Sequence, residues 1–238
     1  MKTTLLAALL LVPVLASGVA SAGDWSGSLG ASVLVTDGNS QSRSIGGKVN
    51  VVDAADPWKN SFDASATNVS GSAGQTAERY AASDKLDYNI TEHTYAFVSA
   101  EWEKDLFGPV RLRTSETAGL GRHFLLGPEH FLDADLGAGA RQTRDNVTGV
   151  RHSELIGRFG GKYEWKFTDK NSFSQSLKVE SGESNTHSES VTALKLAIVG
   201  SLSAALSYTA RHNTEVPAGT EHIDTETAVN IVYAFGGK

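Results

Sequence analysis

The sequence predicts an all-β chain that closes into an antiparallel transmembrane β-barrel of about twelve strands, connected as an up-and-down meander. Three observations carry this. Twelve segments alternate in character with a period of two, as a strand does when successive side chains point to opposite faces, and helical spacing at i, i+3, i+4 fits none of them well. Both faces are extreme: in ELIGRFGGKYEWKF (154–167) one parity holds Leu155, Phe159, Tyr163, Trp165 and Phe167, and the other Glu154, Arg158, Lys162, Glu164 and Lys166. The connections between segments are rich in Gly, Asn, Thr and Asp and alternate between longer and shorter, which an outer-membrane barrel requires and a soluble sandwich does not.

The chain opens with MKTTLLAALLLVPVLASGVASA: a basic Lys2, an apolar run from Leu5 to Leu15 and small residues ending Ala20-Ser21-Ala22. This reads as a secretory signal peptide over 1–22, cleaved near Ala22, with the barrel occupying 23–238. No Cys follows the cleavage point, so neither a lipid anchor nor a disulfide is available. After residue 22 no run of about eighteen apolar residues marks a transmembrane helix. Hydrophobic residues make up 40% and charged residues 20% of the 238, which argues against disorder, and the net charge of -6 gives no basic surface for nucleic acid.

Taken in order, the first segment (25–36) places Trp25, Leu29, Ala31, Val33 and Val35 on one face and serines on the other. In SIGGKVNVV (44–52) the polar parity carries Lys48, and in WKNSFDASATN (58–68) it carries Asp63. RYAASDKLDYNI (79–90) contributes Arg79, Lys85 and Asp87, TYAFVSAEWEK (94–104) Glu101 and Glu103, and VRLRTSETAGLGRHF (110–124) Arg111 and Arg113. Residues 132–141 add Asp133, Asp135 and Arg141. The 154–167 segment adds its own charged row, and SFSQSLKVE (172–180) adds Lys178 and Glu180. SVTALKLAIV (190–199), 202–211 and 225–235 complete the twelve. In a closed barrel the apolar parity meets lipid and these charges line the lumen, where near-equal numbers of both signs predict weak ion selectivity. Tyr163, Trp165 and Phe167 beside the short turn TDKN, with Trp25, Tyr233 and Phe235, make an aromatic girdle. Asp84 and Glu116 fall on the lipid parity, against the pattern.

With the N-terminus in the periplasm, the longer turns near 37–41, 69–77, 105–109, 143–150, 182–188 and 212–221 lie outside. The shorter ones near 53–57, 91–93, 125–129, 168–171 and 199–201 lie inside. Pro57, Pro109, Pro128 and Pro217 all fall in turns, where a missing N–H does no harm.

WSGSLGASVLVTDGNSQS from Trp25, VPAGTEHIDTET from Val216 and the closing VYAF resemble the salt-induced outer-membrane protein (YdiY-like) family, of unknown function. The resemblance spans essentially the whole mature chain. It implies an outer-membrane barrel with outer-membrane lipid, lipopolysaccharide and the barrel-assembly machinery as partners, and it supplies no catalytic residues and no cofactor.

Three functions are compatible with such a barrel. The first is a narrow, weakly selective pore for ions or small solutes, with a link to osmotic or salt response; a closed structural barrel without transport is its counterpart. The second is an outer-membrane lipid-modifying enzyme, which needs Ser, His and an orienting group at one depth. His152–Ser153–Glu154 fails that test because adjacent strand residues alternate faces. The third is a receptor acting through outer loops, which are short. His187, His212 and His222 lie near neighbouring outer turns, within reach of a shared metal only if the loops converge.

Overall fold

A computed structural model describes residues 24–36 and 42–236. The expected leader over 1–22 and the first outer turn lie outside the described residues. The chain runs as β1 (Asp24–Thr36), β2 (Ser42–Ala55), β3 (Trp58–Gly71), β4 (Gly74–Asn89), β5 (Thr94–Asp105) and β6 (Val110–Leu126). It continues as β7 (His130–Asp145), β8 (Arg151–Lys166), β9 (Ser172–Gly182), β10 (Thr186–Val199), β11 (Leu202–Asn213) and β12 (Ile223–Gly236). Each strand pairs antiparallel with its neighbours in sequence, and β1 pairs with β12 to close the ring. Closure leaves no sheet edge, so the backbone groups are satisfied within the sheet, as a lipid environment demands.

The molecule is inside out relative to a soluble domain. Large apolar side chains stand exposed on the outer face, Leu155 at 83%, Val33 at 70% and Leu136 at 67%, while Arg141 and Glu180 are buried at 1% each. The parity that carries Leu155, Phe159 and Tyr163 on β8 points outward, and Glu154, Arg158 and Lys162 point inward. That arrangement is stable only where the medium outside is apolar.

The described outer connections are shorter than the sequence suggests. A turn over 69–77 is replaced by Ser72 and Ala73 alone, with Gly74 beginning β4 at φ 124. Only glycine adopts that backbone readily, so a tight turn was available where polar composition alone suggested a loop. The remaining described outer connections, 106–109, 146–150, 183–185 and 214–222, are also trimmed because the flanking strands run on into them. Against 56–57, 90–93, 127–129, 167–171 and 200–201 at the other end, the contrast in length rests mainly on 214–222.

Aromatic residues gather at the end bearing Trp25. Trp165 sits 5.4 Å from Phe167 and 5.8 Å from His130, which also stacks on Tyr163; Trp58 and Tyr88 lie 4.8 Å apart. Tyr233 is half exposed on the same face, and Phe235 lies across Gly27 at the β1–β12 seam. Tyr80, Trp102 and Tyr208 form a sparser belt toward the opposite end, on the lipid parity of β4, β5 and β11.

Asp84 and Glu116 do stand on the outer face. Asp84 lies midway between the exposed Tyr80 and Tyr88 of its own strand, and Asn60 Nδ2 of β3 donates to its carboxylate at 2.7 Å. Gln142 Nε2 donates to Glu116 at 3.4 Å while accepting from Thr114 at 2.6 Å. Neither a bulge nor a register error accounts for them: each acid has an amide partner on the next strand, which lowers the cost of placing it there.

Candidate functional site: the barrel lumen

The lumen has two unlike walls. From β4 to β8 and the outer half of β9 it is packed; from the inner half of β9 through β12 and β1 to β3 it is lined mainly with small residues.

The packed wall begins with two aromatics. Tyr95 and Phe97 of β5 point inward and are each only 3% exposed. They fit because the facing positions on β6 and β7 are glycines. A Cβ on Gly121 would strike the Tyr95 ring, and one on Gly137 would lie 2.9 Å from Phe97 Cζ. Lys85 Nζ sits 4.8 Å from both ring centroids and the Arg158 guanidinium 5.1 Å from Phe97, each within cation–π range. Asp135 binds both cations, at 3.1 Å from Lys85 and 3.6 Å from Arg158, and Asp87 approaches Lys85 at 3.3 Å. Lys178 of β9 pairs with Glu101 of β5, which also lies 4.0 Å from Arg158.

Nearer the outer end, Arg141 is enclosed. It donates to Glu154 at 2.7 and 3.2 Å and to the Glu180 carbonyl at 3.2 Å, and also to the Asn185 carbonyl. Ser115 Oγ donates to Glu180 at 3.0 Å. Charges this deeply buried are tolerable only when paired; Glu180 Oε2 makes no hydrogen bond among the described residues and lies 3.9 Å from the Arg141 guanidinium.

Across the outer mouth runs a chain of alternating charge. Glu226 pairs with Arg211 at 3.2 Å, Arg211 with Glu189 at 2.9 Å and Glu189 with Arg79 at 3.5 Å. Arg79 then pairs with Glu103 at 2.6 Å, and Glu103 lies 3.8 Å from Arg113, which donates to Asn213 at 3.2 Å. Arg79 is on β4 and Glu189 on β10, six strands apart in a ring of twelve, so this link crosses the barrel from wall to wall. His187, nearer the outer end of β10 than Glu189, is buried with Nδ1 3.1 Å from Asn213 Oδ1.

Below the chain a cavity of about 680 Å³ opens along the other wall. Its lining there is small: Ser28, Gly30 and Ser32 of β1, Gly46 of β2, Ser65 and Thr67 of β3, Ala193 of β10, Ala205, Ser207 and Thr209 of β11, Ala228 and Asn230 of β12. Lys48, Asp63, Lys162, Lys178 and Lys195 reach the same space.

Most of the sequence-derived lumen residues meet in these networks: Arg79, Lys85, Asp87, Glu101, Arg113, Asp135, Arg141 and Arg158. Asp133 turns to His123 near the inner end rather than to Lys162, its neighbour across the strand pair. Glu164 stands on the inward parity of β8 toward the inner end, outside the ion pairs of the described residues. Arg111 does not belong with them. The register of β6 against β7 shifts between Val110 and Leu112, so Arg111 occupies a bulge, exposed at the outer rim and outside the ion pairs of the described residues.

Sequence reasoning passed over Tyr95, Phe97, Glu189, Arg211 and Glu226. The signal existed for four of them: Tyr95 and Phe97 share parity with Glu101 and Glu103, and Arg211 and Glu226 stood on the polar parity of their segments. Glu189 was lost because β10 starts at Thr186, inside what reads as turn.

The three outer histidines do not converge. His187 points into the lumen, whereas His212 and His222 stack on each other at 6.4 Å. Among the described residues no group of three His, Cys, Asp or Glu is placed to hold a metal ion. Glu154 is engaged by Arg141 and Ser184, so the 152–154 triplet assembles no catalytic unit.

Comparison with known proteins agrees with this architecture. The profile of the family described as "Protein of unknown function, DUF481" matches residues 29–235. The uncharacterized protein YdiY of Escherichia coli (strain K12) is 32% identical over 213 residues, 88% of this chain and 82% of that one. Among solved structures, the fold is similar to an outer membrane channel of Pseudomonas putida F1 (TM-score 0.50, 12% identity, 90% of this chain and 96% of that one). It is also similar to the NanC porin (TM-score 0.52, 9% identity, 90% and 100%).

Proposed function

This chain belongs to the DUF481 family, and from its membership and the geometry of its lumen we propose that it is an outer-membrane channel through which ions and small solutes pass passively along the small-residue wall. The observation that carries the reading is the cavity of about 680 Å³ below the outer ion chain, lined by Ser, Thr, Gly and Ala. A barrel built only for structural stability has no use for small side chains along half its interior; large ones would fill it and add dispersion contacts. Twelve strands leave a lumen between the packed eight-strand and open sixteen-strand sizes. The solved barrels of similar fold include a channel and a porin, which supports the same class of activity.

The Glu226–Arg211–Glu189–Arg79 chain is the gate of this channel. It spans the mouth through ion pairs rather than through a folded plug, and salt reaches its more exposed outer member, Glu226, more readily than the enclosed Arg79–Glu103 pair, which is screened much less. That property supports a link between opening and external salt. Export through the periplasm, contact with lipopolysaccharide on the outer leaflet and insertion by the barrel-assembly machinery complete the proposal. The lipid-enzyme alternative gains no support from the placement of Ser153, which faces away from both His152 and Glu154.

The test is single-channel recording of the refolded mature chain in planar bilayers, beside Arg79→Ala/Glu189→Ala. Steps in the wild type, larger or more frequent in the variant and with rising salt, are expected. A heat-modifiable, folded barrel that never conducts in either form overturns the channel reading in favour of a closed barrel.

A further inference from the structure

Within that channel reading, and resting on it, we infer that the pathway selects anions and that its solutes are small hydroxylated carboxylates. The argument separates paired from unpaired charge. Along the packed wall and across the mouth, every arginine in the networks has a carboxylate partner, and Lys178 is held by Glu101. Paired charges of opposite sign present a weak field to a solute passing several ångströms away. The unpaired charges on the cavity surface set the potential there.

Among the described residues, Lys48, Lys162 and Lys195 line the cavity and make no ion pair. They face it from three sides, since Lys48 on β2 and Lys162 on β8 are six strands apart in the ring and Lys195 is on β10. Among the described residues that line the cavity, the one carboxylate without a cationic partner is Asp63, which accepts from Asn50 at 3.2 Å. Three ammonium groups against one carboxylate, in a space of about 680 Å³ bounded by low-dielectric wall, favour anions. The near-balance of signs expected from the sequence holds for the lumen as a whole and not for the open pathway.

The walls between the lysines narrow the class further. Ser172 of β9 lies directly across from Lys195 of β10, and Ser176 directly across from Lys162 of β8, so a row of hydroxyls runs from one ammonium group to the other. Lysine pairs with a carboxylate, and serine hydroxyls both donate to and accept from a polyol. A small acid bearing several hydroxyls matches both.

The experiment is the reversal potential in a tenfold KCl gradient, followed by the chloride current with gluconate or glucose added to one side. Chloride preference in the wild type is expected. It should be lost in Lys48→Gln/Lys162→Gln/Lys195→Gln and strengthened in Asp63→Asn, with both variants still heat-modifiable because neither breaks an ion pair. Gluconate should reduce the chloride current and glucose should not. Cation preference in the wild type, or a reversal potential unmoved in the triple variant, overturns anion selection while leaving the channel intact. Equal reduction by glucose overturns the carboxylate class. Absence of current in the wild type and in Arg79→Ala/Glu189→Ala alike defeats the channel reading and this inference with it.

Discussion

The two walls of the lumen are built from the same twelve-strand sheet and differ in what fills them. From β4 to β8, glycines on β6 and β7 make room for Tyr95 and Phe97, and the large inward side chains around them find partners, whereas Lys162 and Glu164 toward the inner end of β8 form no ion pair among the described residues. From β10 round to β3, serine, alanine and glycine leave the space empty. The first wall is a core in the usual sense, dense and cross-linked, although made of charges; the second is a surface turned inward. A barrel of this size can therefore divide its labour, one side holding shape and the other carrying traffic.

Substitutions should sort along the same line. The largest loss of stability is expected from Arg141→Ala, which leaves Glu154 and Glu180 buried and unpaired, at about 3–5 kcal/mol. Urea unfolding followed by heat-modifiability would read it, and a loss under 1 kcal/mol would show that water already solvates this pocket. Next, Phe159→Arg, on the outer face at the middle of β8, should cost about 2–4 kcal/mol if that position meets the bilayer midplane. Gly137→Val should destabilise by about 1–3 kcal/mol by crowding both the Ala118 carbonyl and the Phe97 ring, with little change in conductance. Ala205→Trp, on the open wall, reverses the pattern: most of the conductance is lost while stability moves by less than about 0.5 kcal/mol. The smallest effect is expected from Asp84→Asn, where an amide pair replaces an amide–carboxylate pair with Asn60. A large loss there would mean that the charge itself is needed.

Much of this was legible from residue types. Period-two alternation along β8 identified which of Leu155 and Arg158 faces lipid, because a strand offers only two faces and a barrel assigns each a different solvent. The division of the lumen into two walls was not legible, because it depends on which strands face each other across the ring. Arg79 and Glu189 are 110 residues apart, and nothing local in either segment records the other. Nor could parity separate Lys85, spent on Asp87 and Asp135, from Lys162, which is free; both simply point inward. Arg111 failed for the opposite reason, a single inserted residue at the rim that shifts the register and breaks the count. Tyr95 and Phe97 were misleading by habit, since aromatics in such a protein are expected at the lipid boundary and these two serve as filling.

The seam between β1 and β12 bears on how the molecule is made. Its register runs from Ser26↔Gly236 to Ala31↔Ile231, far shorter than the β1–β2 register from Asp24↔Ala54 to Thr36↔Ser42. All other neighbours are hairpin partners adjacent in sequence, whereas this contact joins the first strand to the last. Its closure entropy is the greatest in the molecule and its ladder among the shortest, so hairpins accrete first and the ring snaps shut last. Until that moment two strand edges stand open. A chain caught at that stage would be the species most prone to pair with another copy, and the one for which a catalyst of insertion has most to do.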